Sequence, residues 1–509
     1  MDGLFLKDTG SSKLQRPGIW VGIILLTIVL AVLIGLSGLT MAAGLIFALL
    51  FLVFLTFLVK YPQSGLYAAI GLGFVLLGAT RYIITTQPVG LLMDAILLLT
   101  FIGLILNKFP NRVNWKPVNK DIFYLSLIWV AYCGLQVINP EARSFDAWFA
   151  AIRPIGLYML LFSMLSLLFI NNPKRLKILF IIWGVFSILA TFKGMIQHFV
   201  GVDSYEKAWL DAGGSITHIL FGKLRVFSFY SDAGQFGANQ AYTGVVFTIL
   251  AISAQNTRDR VFYIVVGLLG FYGMILSGTR GAIFVAFAGF ALFFLHKKNL
   301  AIMVLGIFLG IAAFTFFKFT RIGQGNAQIA RMRSAFDPND ASLLVRLENQ
   351  RRLKIYMANK PFGAGLGHGG VKAQKYLPNA FLSNVPTDSW YVLIWVELGV
   401  IGLVIHLFIQ FYILIRGSYY LMFVLRDKTL IASCSALASG MLGIMLASYG
   451  NAIIGQMPTS PLIYTGMAVL LSSPVIDKYI RVNKRKKTLH LKYHNRLKNN
   501  NIHLSLPHA

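Results

Sequence analysis

Apolar runs of about twenty residues follow one another along this chain, and positive charge gathers at every second junction between them. The pattern predicts about fourteen membrane spans, at approximately 19–38, 39–60, 65–80, 89–107, 121–138, 146–170, 175–198, 236–254, 260–277, 280–297, 299–319, 388–416, 429–450 and 459–478. No segment alternates with the period of a strand. Helices are therefore expected throughout, since lipid leaves an isolated segment no other way to satisfy its backbone. The predicted fold class is all-α, a polytopic helical membrane protein with about 12–14 transmembrane helices. Two gaps are long and polar, Gly201–Gln235 and Thr320–Thr387, and both fall on the side that the short basic loops avoid.

The expected organisation is an N-terminal helical block over 1–200, a first outer loop over 201–235 and a central block over 236–319. A large outer loop over 320–387, a C-terminal block over 388–480 and a basic tail over 481–509 complete it. The run at 19–38 follows a basic stretch and is longer than a cleaved signal core, so it reads as a retained anchor. The chain has 509 residues, 57% of them hydrophobic, and a formal charge of +28. Such a surplus would suit nucleic acid, but its distribution does not. Lys108, Arg112, Lys116 and Lys120, then Lys174, Arg175 and Lys177, then Arg258 and Arg260, then Lys297 and Lys298 all lie in alternating short loops. Topology accounts for them, with both termini expected in the cytoplasm and no nucleic-acid partner. The tail lysines and arginines would favour anionic lipid. Cys133 and Cys434 both fall in apolar runs, so neither a disulfide framework nor a metal site is expected.

The large loop is not low in complexity. Asp337-Pro-Asn-Asp340 has turn and cap chemistry, and Ser342–Asn359 then mixes apolar and basic residues at helical spacing. Leu343, Leu347, Leu353, Ile355 and Met357 would form one face, with Arg346, Arg351, Arg352 and Lys354 projecting elsewhere. Four other features bear chemistry. Ser277-Gly-Thr-Arg280-Gly281 places a lone arginine at a helix start, suited to a phosphate or, equally, to a side chain snorkelling to the interface. Arg81, Arg153, Lys193 and Arg225 lie within or beside outer helix ends, and Arg153 sits inside an apolar run, where an unpartnered charge is costly. Pro361–Gly370 is glycine-rich with His368 inside it; it either approaches a ligand closely at Gly365 or simply turns the chain after a helix. Asp388 opens a further apolar run as a helix cap or a proton acceptor, and Glu397, deeper in that run, calls for a basic partner on a neighbouring helix.

In this order the segments resemble the O-antigen ligase and polymerase superfamily. The resemblance runs from about Arg225 to Gly402. It rests on Arg225 before Ser228–Ala238, on Ser277–Gly281, on Arg346 before Pro361–Gly367, and on Asp388-Ser-Trp-Tyr followed by Glu397-Leu-Gly. It implies an enzyme without metal or other cofactor, moving a glycan from an undecaprenyl-diphosphate-linked donor to an acceptor hydroxyl of another glycan or of lipid A-core, among membrane lipids. Arg280, Arg225, Arg153 and Arg346 would hold the diphosphate, with Arg81 behind them and Gly365 near the glycan. Many relatives have His-Asn where this chain has Asp388-Ser389, so Asp388, or else His368, would act on the acceptor beside Arg280, or the enzyme would work mainly by donor activation. The resemblance leans toward a ligase rather than a polymerase. A flippase for a lipid-linked anion would use the same arginines, but alternating access calls for charged pairs near mid-membrane, and a non-catalytic assembly component would leave them idle.

Overall fold

The structure is a computed structural model that describes residues 44, 46, 49–82, 89–220, 222–325 and 327–501. The expected span at 19–38, the first part of that at 39–60 and the end of the tail lie outside the described residues. The chain divides into two compact units, residues 1–64 with 99–112, and residues 65–98 with 113–509. The packing and the site described below belong to the second.

The helices are α1 (Leu49–Lys60), α2 (Gln63–Ala79), α3 (Gly90–Lys108), α4 (Asp121–Ile138), α5 (Phe145–Phe169) and α6 (Pro173–Phe199), then the short α7 (Ser204–Trp209). They continue as α8 (Ala233–Ser253), α9 (Thr257–Ser277), α10 (Arg280–His296), α11 (Leu300–Phe319), the short α12 (Ala327–Arg333) and α13 (Ala341–Tyr356). The last three are α14 (Trp390–Val424), α15 (Lys428–Ala447) and α16 (Thr459–Asn501). Among the described residues nine helices are long and apolar enough to cross a membrane, so the fold is a polytopic helical one.

The centre is α8, buried from Ala233 to Phe247 and packed on α9, α10 and α15. Small residues let two helices meet there. A Cβ on Gly270 of α9 would come within 2.8 Å of the Gly244 amide nitrogen on α8. The polar residues of α8 are matched across the interfaces rather than exposed. Gln235 and Asn239 both donate to the Thr459 hydroxyl, at 2.7 and 3.0 Å, and the Trp183 indole donates to Thr243 at 2.8 Å. The polar stretch Ser228–Gln240 is thus helix from Ala233 onward. Asp232 starts that helix by accepting from the Gln235 amide at 2.9 Å.

Two helices are interrupted, each for a local reason. In α5 a π-turn over Arg153–Leu157 contains Pro154, which has no N–H to give to the regular ladder. In α14 Gly399 has φ +71°, and the freed backbone groups are taken by the glycine-rich loop. Ala364 and Gly365 donate to the carbonyls of Val396 and Glu397, and Ile401 donates to Pro361. A Cβ on Gly399 would collide with the Pro361 carbonyl, so both the dihedral and the approach require glycine there.

Both long gaps fold as lobes at one end of the bundle, and the basic short loops lie at the other. Lys177 pairs with Asp259 and Lys484 with Asp427 at the basic end. At the lobe end Lys193 holds Asp203 at 3.0 Å and the buried Glu206 at 3.2 Å. The first lobe contains a two-residue hairpin, Ile219–Leu220 with Lys223–Leu224, the strand pairing seen among the described residues. The second lobe has its own core of Leu353, Met357, Ala364, Leu382, Val385 and Val396. Phe336 fixes it to the bundle, 5.3–6.5 Å ring to ring from Phe284 and Phe287 of α10 and from Phe314 and Phe317 of α11. Of the apolar face expected on α13, Leu353 and Met357 are buried, while Leu343, Leu347 and Ile355 are exposed. The lobe core reaches only the last turn of that helix.

Candidate functional site

The turn between α9 and α10 is pinned before it presents anything. The Ser277 hydroxyl donates to the Met274 carbonyl at 2.7 Å and accepts from the Thr279 amide at 3.1 Å, and the Thr279 hydroxyl donates to Ala233 at 2.7 Å. Neither hydroxyl caps the next helix; both instead lock the turn against the start of α8. Arg280 leaves this turn with Nη1 on Ser334 at 3.1 Å and in an ion pair with Asp340. Asp340 also caps α13 through its other oxygen, accepting from Leu343 at 3.0 Å.

One helical turn further, Arg346 approaches Asp388 at 3.8 Å and the Asn451 side chain at 3.4 Å. Asp388 is not a helix cap. Ser389 occupies that position, and Asp388 stands at φ +49° in a tight turn where Ser389 donates to Thr387 at 2.5 Å. Asp tolerates this region better than most residues, and the turn exposes its carboxylate. Among the described residues Arg346 is its only charged neighbour within 4 Å.

Arg225 joins the group from the first lobe. It reaches the Thr217 carbonyl at 3.3 Å, and its Nε is buried without a partner. Burial pushes its pKa down, Asp232 opposes this, and the like charges of Arg280 and Arg346 add to the lowering. Arg331 of α12, which the sequence did not single out, completes the group. Burial, then Arg225 and Arg280, hold it down to about 10 against the pull of Asp340. The lobe end therefore brings together Arg225, Arg280, Arg331 and Arg346 with Asp232, Asp340 and Asp388. Such a group can bind a multiply charged oxyanion and, beside it, take a proton.

The remaining candidates stand apart from this group, each engaged by the chain itself. Arg81 donates to the carbonyls of Ser228, at 2.8 Å, and Tyr230, with its guanidinium 4.6 Å and 4.2 Å from the Trp209 and Phe227 rings. Burial pushes its pKa down to about 10. It braces the first lobe. Arg153 pairs with Asp94 of α3 at 2.8 Å, and Asp94 accepts from Tyr158 at the same distance. Gly365 is packed against the chain: a Cβ there would lie 2.8 Å from that of Ala142. Among the described residues Glu397 finds no cation within ion-pair distance; one oxygen accepts from the Gly369 amide at 3.2 Å.

His368 has both ring nitrogens occupied. Nε2 accepts from the amides of Arg143 and Ser144, at 2.8 and 3.1 Å, and Nδ1 donates to the Leu366 carbonyl at 3.0 Å. The neutral ring thus caps the start of α5, and burial lowers its pKa from the ordinary 6.5. A depressed histidine pKa stabilises the fold fully above the unfolded value, and that contribution is lost as pH falls through the folded one. His368→Ala is expected to lower stability by about 1–3 kcal/mol, since two part-buried amides lose their acceptor. Wild-type melting should fall below pH 6.5, more steeply than in the variant, with transfer per folded molecule near wild type. Thermal unfolding against pH checks this; parallel curves would remove the cap role.

Residues 265–407 match the family model described as O-Antigen ligase. The matched segment carries Arg280, Arg331, Arg346 and Asp388. The chain is also similar to an O-antigen polymerase of Salmonella muenchen, 23% identical over 335 residues, which covers 63% of this chain and 80% of that protein. Both similarities are to the O-antigen ligase and polymerase superfamily. They support a membrane O-antigen ligase or polymerase role, of glycosyltransferase type.

Proposed function

We propose that the protein transfers a glycan from undecaprenyl diphosphate to an acceptor hydroxyl at the outer face of a bacterial inner membrane, in surface polysaccharide synthesis. The observation that carries the reading is the convergence of four arginines with the exposed carboxylate of Asp388. In the step, the acceptor oxygen forms a bond to the anomeric carbon while the bond from that carbon to the diphosphate oxygen breaks. The acceptor proton passes to Asp388, and undecaprenyl diphosphate departs with the electron pair. Fixed guanidinium groups stabilise the charge that grows on the leaving group, so the step needs no metal. Of the two outcomes, elongation of a lipid-linked chain is favoured over ligation to lipid A-core, because the longer similarity is to a polymerase. The flippase reading has less support: the clustered cations meet at one end of the bundle, and Arg153, within a span, is already paired.

Purified protein given a diphosphate-linked glycan repeat is expected to release undecaprenyl diphosphate and form a longer glycan. Lipid movement between leaflets without bond formation would overturn the reading. Sidedness follows from the loop charges. Asn339→Cys, in an exposed turn of the second lobe, should react with an impermeant reagent added outside cells, while the buried Cys133 and Cys434 stay silent. Labelling only after the cytoplasmic face is opened would invert the orientation.

A further inference from the structure

The charged group at the lobe end is unevenly matched. Arg280 is paired with Asp340, and Arg346 faces Asp388. Asp232 is taken up by its own helix, with one oxygen on the Gln235 amide and the other on the Ser231 hydroxyl. Arg225 has a single long bond and a buried, unpartnered Nε. The guanidinium of Arg331 makes no hydrogen bond and no ion pair among the described residues. A half-buried cation facing two others is unfavourable unless an anion joins them.

Nor is Arg331 a mobile surface side chain. Its Cδ lies over the α9–α10 turn, 3.4 Å from where a Cβ on Gly278 would be. Met332, next to it, is 1% exposed and anchors α12 in the core. The Ser334 hydroxyl donates to the Arg331 carbonyl at 2.9 Å while accepting from Arg280. One hydroxyl therefore sets the register between the backbone that carries Arg331 and the guanidinium of Arg280.

We propose that Arg331 is a donor-binding residue which, with Arg225, takes the second phosphate of a lipid diphosphate whose first phosphate lies on Arg280 and Arg346. The assignment rests on the donor chemistry proposed above. It also explains why α12 packs where it does. Through that helix the second lobe contributes a cation that a monophosphate would leave unused, so the site distinguishes diphosphate from monophosphate lipids.

The test uses full-length protein in phosphatidylcholine nanodiscs, titrated separately with undecaprenyl diphosphate, undecaprenyl monophosphate and inorganic pyrophosphate. Wild-type protein is expected to bind the diphosphate lipid more tightly than the monophosphate. Arg331→Ala should lose about tenfold to a hundredfold in affinity for the diphosphate lipid, the range for a charged hydrogen bond, and little for the monophosphate. In turnover, the KM for donor should rise with kcat largely kept, and Arg331→Lys should recover part of the affinity. Pyrophosphate binding that shows the same loss would mean that the phosphates alone are read, without the lipid, and supports the assignment. Equal loss for both lipids, or none, overturns it. Should Arg331→Ala fail to fold, Arg331→Gln keeps the stem and the same comparison decides. Wild-type protein that ignores both lipids overturns the donor chemistry and this assignment with it.

Discussion

Arg280→Lys will reduce glycan transfer by about a hundredfold or more, although the charge is kept and the protein stays folded. The reason lies in how the guanidinium is divided. Its Nη1 alone holds Ser334 and Asp340. Among the described residues Nε and Nη2 make no hydrogen bond, which leaves one edge of the fork for a phosphate. A lysine ammonium is a single point. It must either stay on Asp340 and abandon the ligand, or turn to the ligand and leave the second Asp340 oxygen without its partner. The change should thus appear in turnover and donor binding rather than in melting temperature. Transfer measured with purified protein, beside thermal unfolding, separates these outcomes. Normal turnover in Arg280→Lys would end the bidentate role.

Local chemistry is legible in a sequence, and long-range pairing is not. Apolar runs report lipid contact residue by residue, so helices such as Asp121–Ile138 and Lys428–Ala447 begin and end close to where hydropathy and charge place them. Arg280 and Asp388 are legible for a related reason: each is the lone charge beside a helix start. Pairing between distant elements leaves no such mark. Arg153 looks like an isolated intramembrane cation until Asp94, 59 residues earlier, is seen against it. Glu397 calls for a cation, but amide groups from a loop 28 residues before it supply a partner instead. Arg331 is one of three arginines between Thr320 and Asp337. Only the packing of α12 on the Gly278 turn tells it from Arg333, which reaches back to Thr320 and Ile322. His368 shows the converse. Its glycine-rich setting suggests a ligand, and the glycines serve instead to let the loop mend a broken helix.

Asp388→Asn is expected to lower turnover by about 10²–10⁴-fold, the span assigned to a positioned general base. The substitution is close to isosteric, and asparagine accepts the left-handed backbone at φ +49° as readily as aspartate, so the turn into α14 should survive. Arg346 loses its carboxylate neighbour, and an anionic donor then meets a more positive site. Donor affinity should therefore hold or rise while the chemical step fails. That divergence identifies a base, because a residue needed only to shape the pocket would weaken binding and turnover together. Single-turnover transfer and lipid diphosphate titration on the same preparation supply both numbers. Turnover in Asp388→Asn equal to wild type at every pH would remove the carboxylate from the reaction and leave catalysis to the arginines.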